Sequence, residues 1–431
     1  MVDGKSEIDD ADFFFSKDGK TNAKNELEAT LDALFNERSF DDNSTACRFP
    51  ARKAWLKEKL SIDESEFPDE VTCTDYDNIV QRLSPKSATL VFPSAHINSP
   101  ASMFGHTFLR INSKYKSKLL AYAINYAADA NPDTENATVF ALKGLFGGYY
   151  GKYSLLPYYE KLKEYRDTEQ RDIWEYDLDL TEEEVRRMVR HIWELNGTHS
   201  YYYFFTENCS YNMLWFIEAA RPSIHLREYF NYEVVPLETV HAAKSENIIS
   251  SYNYRPSKRT TLLKYEEIIS NKNIDYVRKI VDSKISIEEF LELKEITPQQ
   301  KMYALEAAIE FLEYSFSKNK MTKEKYLELF HSLTKHRASL GQGKRLNITT
   351  PANPIESHRA IKSTVGYGYR NDSPIGFIGI RPAYHDLEDS SFGFLRGTQI
   401  EFLDLLLSYS EKEKLEVENA TILSIVSLTQ R

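Results

Sequence analysis

Residues 204–222 read F-F-T-E-N-C-S-Y-N-M-L-W-F-I-E-A-A-R-P, from Phe204 to Pro222. Met213, Phe216, Ile217 and Ala220 recur at i, i+3, i+4 and i+7, the period of an amphipathic helix. Cys209, directly after Glu207 and Asn208, therefore falls at or near a helix N-terminus. Unpaired backbone N–H groups and the positive end of the macrodipole favour a thiolate there. The competing reading is a small buried side chain on a helix face, because free cysteine is among the most buried residue types. A motif further upstream separates the two.

That motif is P-S-A-H-I-N-S-P-A-S-M-F-G-H-T-F-L-R-I, Pro93 to Ile111. His106 follows Gly105 and opens the strand-like run T-F-L-R-I, which puts its ring at a sheet edge, open on one side. His96 and His106, with Asn98, Ser99 and Ser102 around them, make a denser polar cluster than a buried strand needs. Joined to a cysteine on a helix N-terminus, such a histidine suits thiol catalysis. The base takes the thiol proton, the helix dipole holds the anion, and a third polar group orients the imidazole. Asn125, in the following strand, or His96 is that third group. Backbone N–H groups with the Asn208 amide would hold an oxyanion, and Ser99, Ser102 and Glu207 add polar groups for a substrate. Metal binding is the obvious rival for these side chains, but no C-x-x-C, H-E-x-x-H or H-x-x-x-H spacing supports it. No G-x-S-x-G nucleophile elbow is present either. Neither a metal nor another cofactor is expected.

The surroundings bound what such a site serves. With 431 residues, 42% of them hydrophobic and 28% charged, the chain reads as two or three folded domains. A formal charge of −11 without a long basic block argues against a nucleic-acid partner. The 28 tyrosines and 24 phenylalanines suit sheets, carbohydrate or lipid contact, or a membrane interface. No run of 18 apolar residues exists, and the first residues lack the apolar core of a secretory signal. Yet Cys47 and Cys73 form an even pair, 26 apart, with Cys209 as the odd thiol. One disulfide and one working cysteine is the pattern of an exported protein whose signal has been removed.

Four regions follow in order. Residues 1–85 read as mainly helical, with Leu27, Leu31 and Leu34 on one face. Residues 86–225 hold the catalytic motifs and short strand-like runs at 88–92, 107–111, 119–126 and 173–180. Within them, G-L-F-G-G-Y-Y-G (144–151) lacks the Lys-Ser/Thr of a phosphate loop and reads as a mobile loop or lid. Thr181 and Glu184 form a capping box that opens a helix through about Asn196. Residues 226–345 return to helix, most clearly at 298–316 and 322–336. Residues 346–431 alternate with period two from about Gly366, in strands as long as those of outer-membrane barrels. Four or so strands cannot close a barrel, so this antiparallel region is either part of one or an ordinary small sheet.

The order of histidine first, then an Asn-Cys pair at a helix start, resembles the circularly permuted papain-like and NlpC/P60-like cysteine enzymes. More narrowly, P-A-S-M-F-G-H-T-F-L-R-I with T-E-N-C-S-Y-N-M-L is similar to the DUF4105 family, the periplasmic domain of Lnb-type bacterial lipoprotein N-acyltransferases. C-R-F-P-A-R-K-A-W-L (47–56), S-H-R-A (357–360) and R-P-A-Y-H-D-L (381–387) extend the likeness. The resemblance implies an α+β chain whose catalytic domain is permuted papain-like, located in the periplasm or at the outer membrane. It also implies Cys209 as nucleophile and His106 as base. The activity expected is acyl transfer through a Cys209 thioester, from a phospholipid-type donor to an amine such as a lipoprotein N-terminus. The alternatives are a cysteine peptidase or amidase acting on envelope peptides, and a non-catalytic envelope scaffold.

Overall fold

The computed structural model describes residues 4–68, 71–95, 104–115, 120–130, 135–269, 271–394 and 397–428. Contacts divide the chain into two compact units. One comprises residues 1–159, 175–252 and 352–431, the other 160–174 and 253–351.

The first unit is built on a seven-stranded sheet. Its strands are β1 (Pro85–Pro93), β2 (Phe108–Ser113), β3 (Tyr122–Ala128), β4 (Tyr149–Pro157), β5 (Ile173–Leu178), β6 (His199–Tyr202) and β7 (Ile249–Arg255), in the order β6-β4-β3-β2-β1-β5-β7. Strands β1 to β4 pair antiparallel in succession, and β4 pairs antiparallel with β6. Leu90, Val91 and Phe92 are consecutive and all buried, so β1 is covered on both faces. The helix Glu182–Leu195 opens on the Thr181/Glu184 capping box and buries Val185, Met188, Val189 and Ile192. That spacing is one apolar stripe of a 3.6-residue helix.

A charged pair also lies inside this sheet. Arg110 on β2 and Glu175 on β5 are fully buried, 2.5 Å apart. Thr89, Asn112 and the Tyr158 hydroxyl complete their hydrogen bonds. A pair so deep is tolerated only where donors and acceptors are satisfied, and removing one partner strands the other.

The N-terminal segment is helical over Ala23–Phe35, Pro50–Leu60 and Thr74–Leu83, and the first of these packs the predicted face of Leu27, Leu31 and Leu34. Cys47 and Cys73 form the expected disulfide, with Cα atoms 5.1 Å apart. The Arg52 N–H donates to Glu194 at 2.7 Å, tying this segment to the helix Glu182–Leu195.

The C-terminal strands β8 (Lys362–Arg370), β9 (Ser373–Arg381), β10 (Ala383–His385), β11 (Thr398–Ser410) and β12 (Lys414–Ser427) form a second, antiparallel sheet. Strands β9 and β10 line one side of β11, and β12 lines the other. This matches the period-two reading.

The second unit is helical, including Pro298–Ser317 and Lys323–Ser339. Phe290, Leu305, Leu312 and Leu333 sit in its core.

Two expectations change. The helical domain begins near residue 253 rather than 226, because the helix Pro236–Ser245 and the start of β7 belong to the first unit. The glycine-rich stretch 144–151 is not a lid: it is the end of the helix Ala137–Leu145, a turn with Gly147 at φ +72°, and the start of β4. A Cβ on Gly144 would come 2.3 Å from the Phe204 ring, and one on Gly151 would come 2.1 Å from Tyr126. These glycines serve close packing.

Candidate functional site

Cys209 is the first residue of the helix Cys209–Ala220, and Asn208 is its N-cap. The Asn208 side-chain oxygen accepts from the Ser210 and Tyr211 N–H groups, as a cap does. Its amide donates to the Phe204 and Val234 carbonyls at 3.0 and 2.7 Å. Asn208 thus aims the helix and leaves no amide hydrogen for an oxyanion, which corrects the role expected of it.

His106 lies two residues ahead of β2, after Gly105 at φ +100°. A side chain at Gly105 would meet the Phe92 ring at 2.7 Å, so the sharp approach to His106 requires glycine. The His106 Nε2 stands 3.2 Å from the Asn125 Oδ1 on β3, both residues buried. An amide oxygen accepts, so Nε2 carries the proton and Nδ1 is the basic nitrogen. Of the two groups expected to orient the imidazole, Asn125 is thus brought to His106. His96, Ser99 and Ser102 lie outside the described residues.

Cys209 and His106 share a hydrogen bond. Burial pushes the Cys209 thiol up, but the His106 charge and hydrogen bond, the Thr107 N–H and the Ser210 hydroxyl outweigh it and bring the thiol down to about 6. The Ser210 Oγ is 3.6 Å from the sulfur.

Tyr202 on β6 is the partner that reading the sequence missed. Its hydroxyl accepts the Cys209 N–H at 3.1 Å. Burial, then the neighbouring Cys209 charge, hold its phenol far above the usual range, so it stays protonated and can donate. Tyr126 stacks against Tyr202 at 5.4 Å and against Tyr153 at 4.5 Å. The Tyr153 hydroxyl in turn bonds the Asn212 Oδ1 on the helix that Cys209 opens, at 2.6 Å. Tyr202 stands seven residues before Cys209 on a different element, and no local period flags that pairing.

Glu207 is half-buried. Burial, then repulsion from Glu7 and Asp9, raise its carboxyl to about 7, with Lys20 opposing. Its surroundings are acidic side chains of the N-terminal segment, not the donors an oxyanion needs.

Aromatic residues flank both reactive groups. Phe205, four residues before Cys209, stacks on Phe402 of β11 at 4.1 Å, and Phe104, two before His106, meets Phe205 at 5.6 Å.

Among the described residues one further group has metal-ligand chemistry: His358, His385 and Asp389, with ligand atoms within 4.8 Å of one another. The His358 Nδ1 donates to the Arg359 carbonyl at 2.7 Å, leaving its Nε2 lone pair 3.0 Å from the His385 Nδ1. Asp389 already pairs with Arg381 and with Lys362. A cation there would compete with two resident positive charges, and an imidazole–imidazole hydrogen bond satisfies the pair without one.

The fold and site define a mixed α+β protein with a hydrogen-bonded Cys-His-Asn constellation at a helix N-terminus. Against known families, residues 75–246 match the model of the Lnb N-terminal periplasmic domain, which makes this segment Lnb-like. Three domains of unknown function match the remainder: DUF7843 over residues 2–59, DUF7842 over 252–347 and DUF7840 over 351–431. The DUF7842 match nearly coincides with the long segment of the helical unit. No curated protein and no solved structure matches the chain. No helix of the described residues is long and apolar enough to cross a membrane.

Proposed function

We propose that this is an envelope protein related to Lnb, a thiol acyltransferase with a permuted papain-like catalytic domain of the DUF4105 kind, working on the periplasmic side of a membrane. The hydrogen-bonded series Cys209–His106–Asn125, with the thiol brought down to about 6, carries the reading. The Cys209 thiolate attacks the ester carbonyl of a phospholipid-type donor. The C–O bond breaks, the leaving alcohol takes its proton from His106, and an acyl thioester remains. An amine such as a lipoprotein N-terminus then attacks the thioester carbonyl and passes a proton to His106. The C–S bond breaks, an amide forms and the sulfur is released. The Tyr202 hydroxyl, which accepts the Cys209 N–H at 3.1 Å and keeps its own proton, is the donor this site offers a developing oxyanion.

The same parts with water as acceptor would make a peptidase or amidase. The half-buried rings of Phe104 and Phe205, which meet each other two residues before His106 and four before Cys209, favour an apolar acyl group over a peptide. A specific observation favours the scaffold reading instead: Cys209 is only 4% exposed. Intact-mass spectrometry after incubation with phosphatidylethanolamine–phosphatidylglycerol vesicles separates these readings. An acyl adduct on wild type, absent in Cys209→Ala and discharged by an amine-terminated peptide, supports the transferase. Discharge by water alone points to a hydrolase. A folded protein whose thiol is inert to both vesicles and alkylating agent leaves the scaffold.

A further inference from the structure

The second sheet has its faces the wrong way round for a water-soluble protein. Because the pairing register is known, each cross-strand row can be followed. Val365 on β8 faces Ile378 on β9, which faces Leu407 on β11, which faces Val417 on β12. The row on one side of it runs Tyr367, Gly376, Tyr409, Leu415, and on the other Ser363, Ile380, Leu405, Ala420. No charged residue stands in these three rows. The face is nonetheless open: Val365 is 85% exposed, Tyr367 92%, Ile378 62% and Val417 62%. Alternation sends the neighbouring residues to the opposite face, and there the polar chemistry is found. Arg370 lies 2.8 Å from Glu418 and is also paired with Glu413 and Glu416, while Asn419 donates to Asp404 at 2.6 Å.

Along the strands the apolar face is graded. Tyr367, Tyr369 and Tyr409 lie toward the hairpin tips, which carry Asp372, Glu411, Lys412 and Glu413. Aliphatic residues fill the middle. Glu401, Gln399 and Ser424 close the other end, where Gln399 donates to Glu401 and Ser424. Charged tips, a tyrosine belt, an uncharged aliphatic band and a polar end follow the charge profile of a bilayer from water through headgroups to hydrocarbon and back. A soluble protein partner has no need of that order, and bare water opposes it.

We propose that this face lies against membrane hydrocarbon, as the lipid-facing wall of a β-barrel arc, with the ion-paired face turned inward. Strands of 9 residues in β8 and β9, 13 in β11 and 14 in β12 are long enough to cross the apolar layer. Backbone edges in hydrocarbon must be paired, so the outer edges of β8 and β12 require further strands.

Flotation of the full chain with phosphatidylethanolamine–phosphatidylglycerol vesicles tests the assignment. Wild type is expected to float, and to float equally in 1 M NaCl, because an uncharged face gains nothing from electrostatic attraction. Val365→Arg/Ile378→Arg is expected to lower vesicle partitioning at least 100-fold. Thr364→Arg, on the inward face, is expected to leave it unchanged. Thermal unfolding of each variant in buffer shows that the protein is folded when assayed. Folded wild type that does not float, flotation abolished by salt, or equal loss in both variants would each overturn the proposal. Failure to float together with a lipid-free dimer dissociated by Val365→Arg/Ile378→Arg assigns the face to a second copy instead. The outcome is independent of the thiol chemistry, since a protein with an inert Cys209 can still float.

Discussion

Two histidine clusters lie in the same compact unit, and only one is arranged to move a proton. His106 has an amide oxygen on one ring nitrogen and shares a hydrogen bond with a titratable thiol. His385 has an imidazole on its Nδ1, a phenylalanine ring stacked 4.3 Å away, and a neighbouring carboxylate already neutralised by Arg381. Burial first, then the His358 charge, bring His385 down to about 4, with Asp389 and Asp386 opposing, so it is neutral at ordinary pH. Both histidines are buried. Burial therefore does not separate a histidine placed to exchange a proton from one that is not. What separates them is whether a ring nitrogen faces a group that can exchange a proton with it.

The largest effect that would break this contrast concerns the thiol. Cys209 comes down to about 6 because His106 outweighs burial. Alkylation of wild type by iodoacetamide is expected to rise with pH through about 6 and then level off. In His106→Ala only the smaller contributions of Thr107 and Ser210 oppose burial, and the rise is expected to move above ~8.5, the ordinary thiol value. At pH 6 the variant should react about 100- to 1000-fold more slowly, since each unit is tenfold in thiolate. Equal rates by intact mass would remove His106 from the site. The second cluster should show the reverse profile. Arg381→Met removes the buried guanidinium from the half-buried Asp386 and Asp389 carboxylates, leaving Lys362 as their remaining cation, and is expected to cost about 3 kcal/mol in urea unfolding. Cys209 alkylation should stay at the wild-type rate.

The frame of the first cluster was legible in the sequence; the second, which joins His358 to His385 and Asp389, was not. Met213, Phe216, Ile217 and Ala220 placed the helix that Cys209 opens, and T-F-L-R-I placed the strand after His106, because both are local periods. Thr181 with Glu184 announced a helix start for the same reason. The C-terminal strands were visible in their alternation, although the exposure of their apolar side was not. Contacts between distant segments left no trace. Tyr202 reaches Cys209 from another strand, and Arg110 meets Glu175 across 65 positions. Asn208 was named for the right place and the wrong task, since its type suits both a cap and an oxyanion donor, and only its partners distinguish them. The glycines at 144 and 151 look permissive in sequence, but the rings of Phe204 and Tyr126 fill the space beside them.

Smaller effects sharpen the comparison. Asn125→Ala removes the oxygen that holds the His106 Nε2 proton, so the tautomer with Nδ1 basic is no longer favoured. Alkylation at pH 6 is expected to fall about tenfold, as for loss of about 1.4 kcal/mol in one charge-linked hydrogen bond. Asn125→Gln, able to present the same oxygen, should recover part of the rate. An unchanged rate would make Asn125 a packing residue.

The smallest effect is expected at His385→Phe. The substitution keeps a ring against Phe394 and loses one N–H···N bond to His358, which sits near the surface with a side chain 26% exposed. Loss of about 1 kcal/mol at pH 7.5 is expected in urea unfolding. The pH dependence is the more telling readout. A histidine held at about 4 in the folded protein and near ~6.5 in the unfolded chain binds more protons when unfolded between those values. Its contribution is therefore complete above about pH 6.5 and declines as the pH falls toward 4. His385→Phe removes that decline, so the gap between the two proteins should narrow from pH 7 to pH 4.5. A gap that widens on acidification would mean that His385 is protonated in the folded state. The second cluster would then be a charged site like the first, and the contrast between the two would fail.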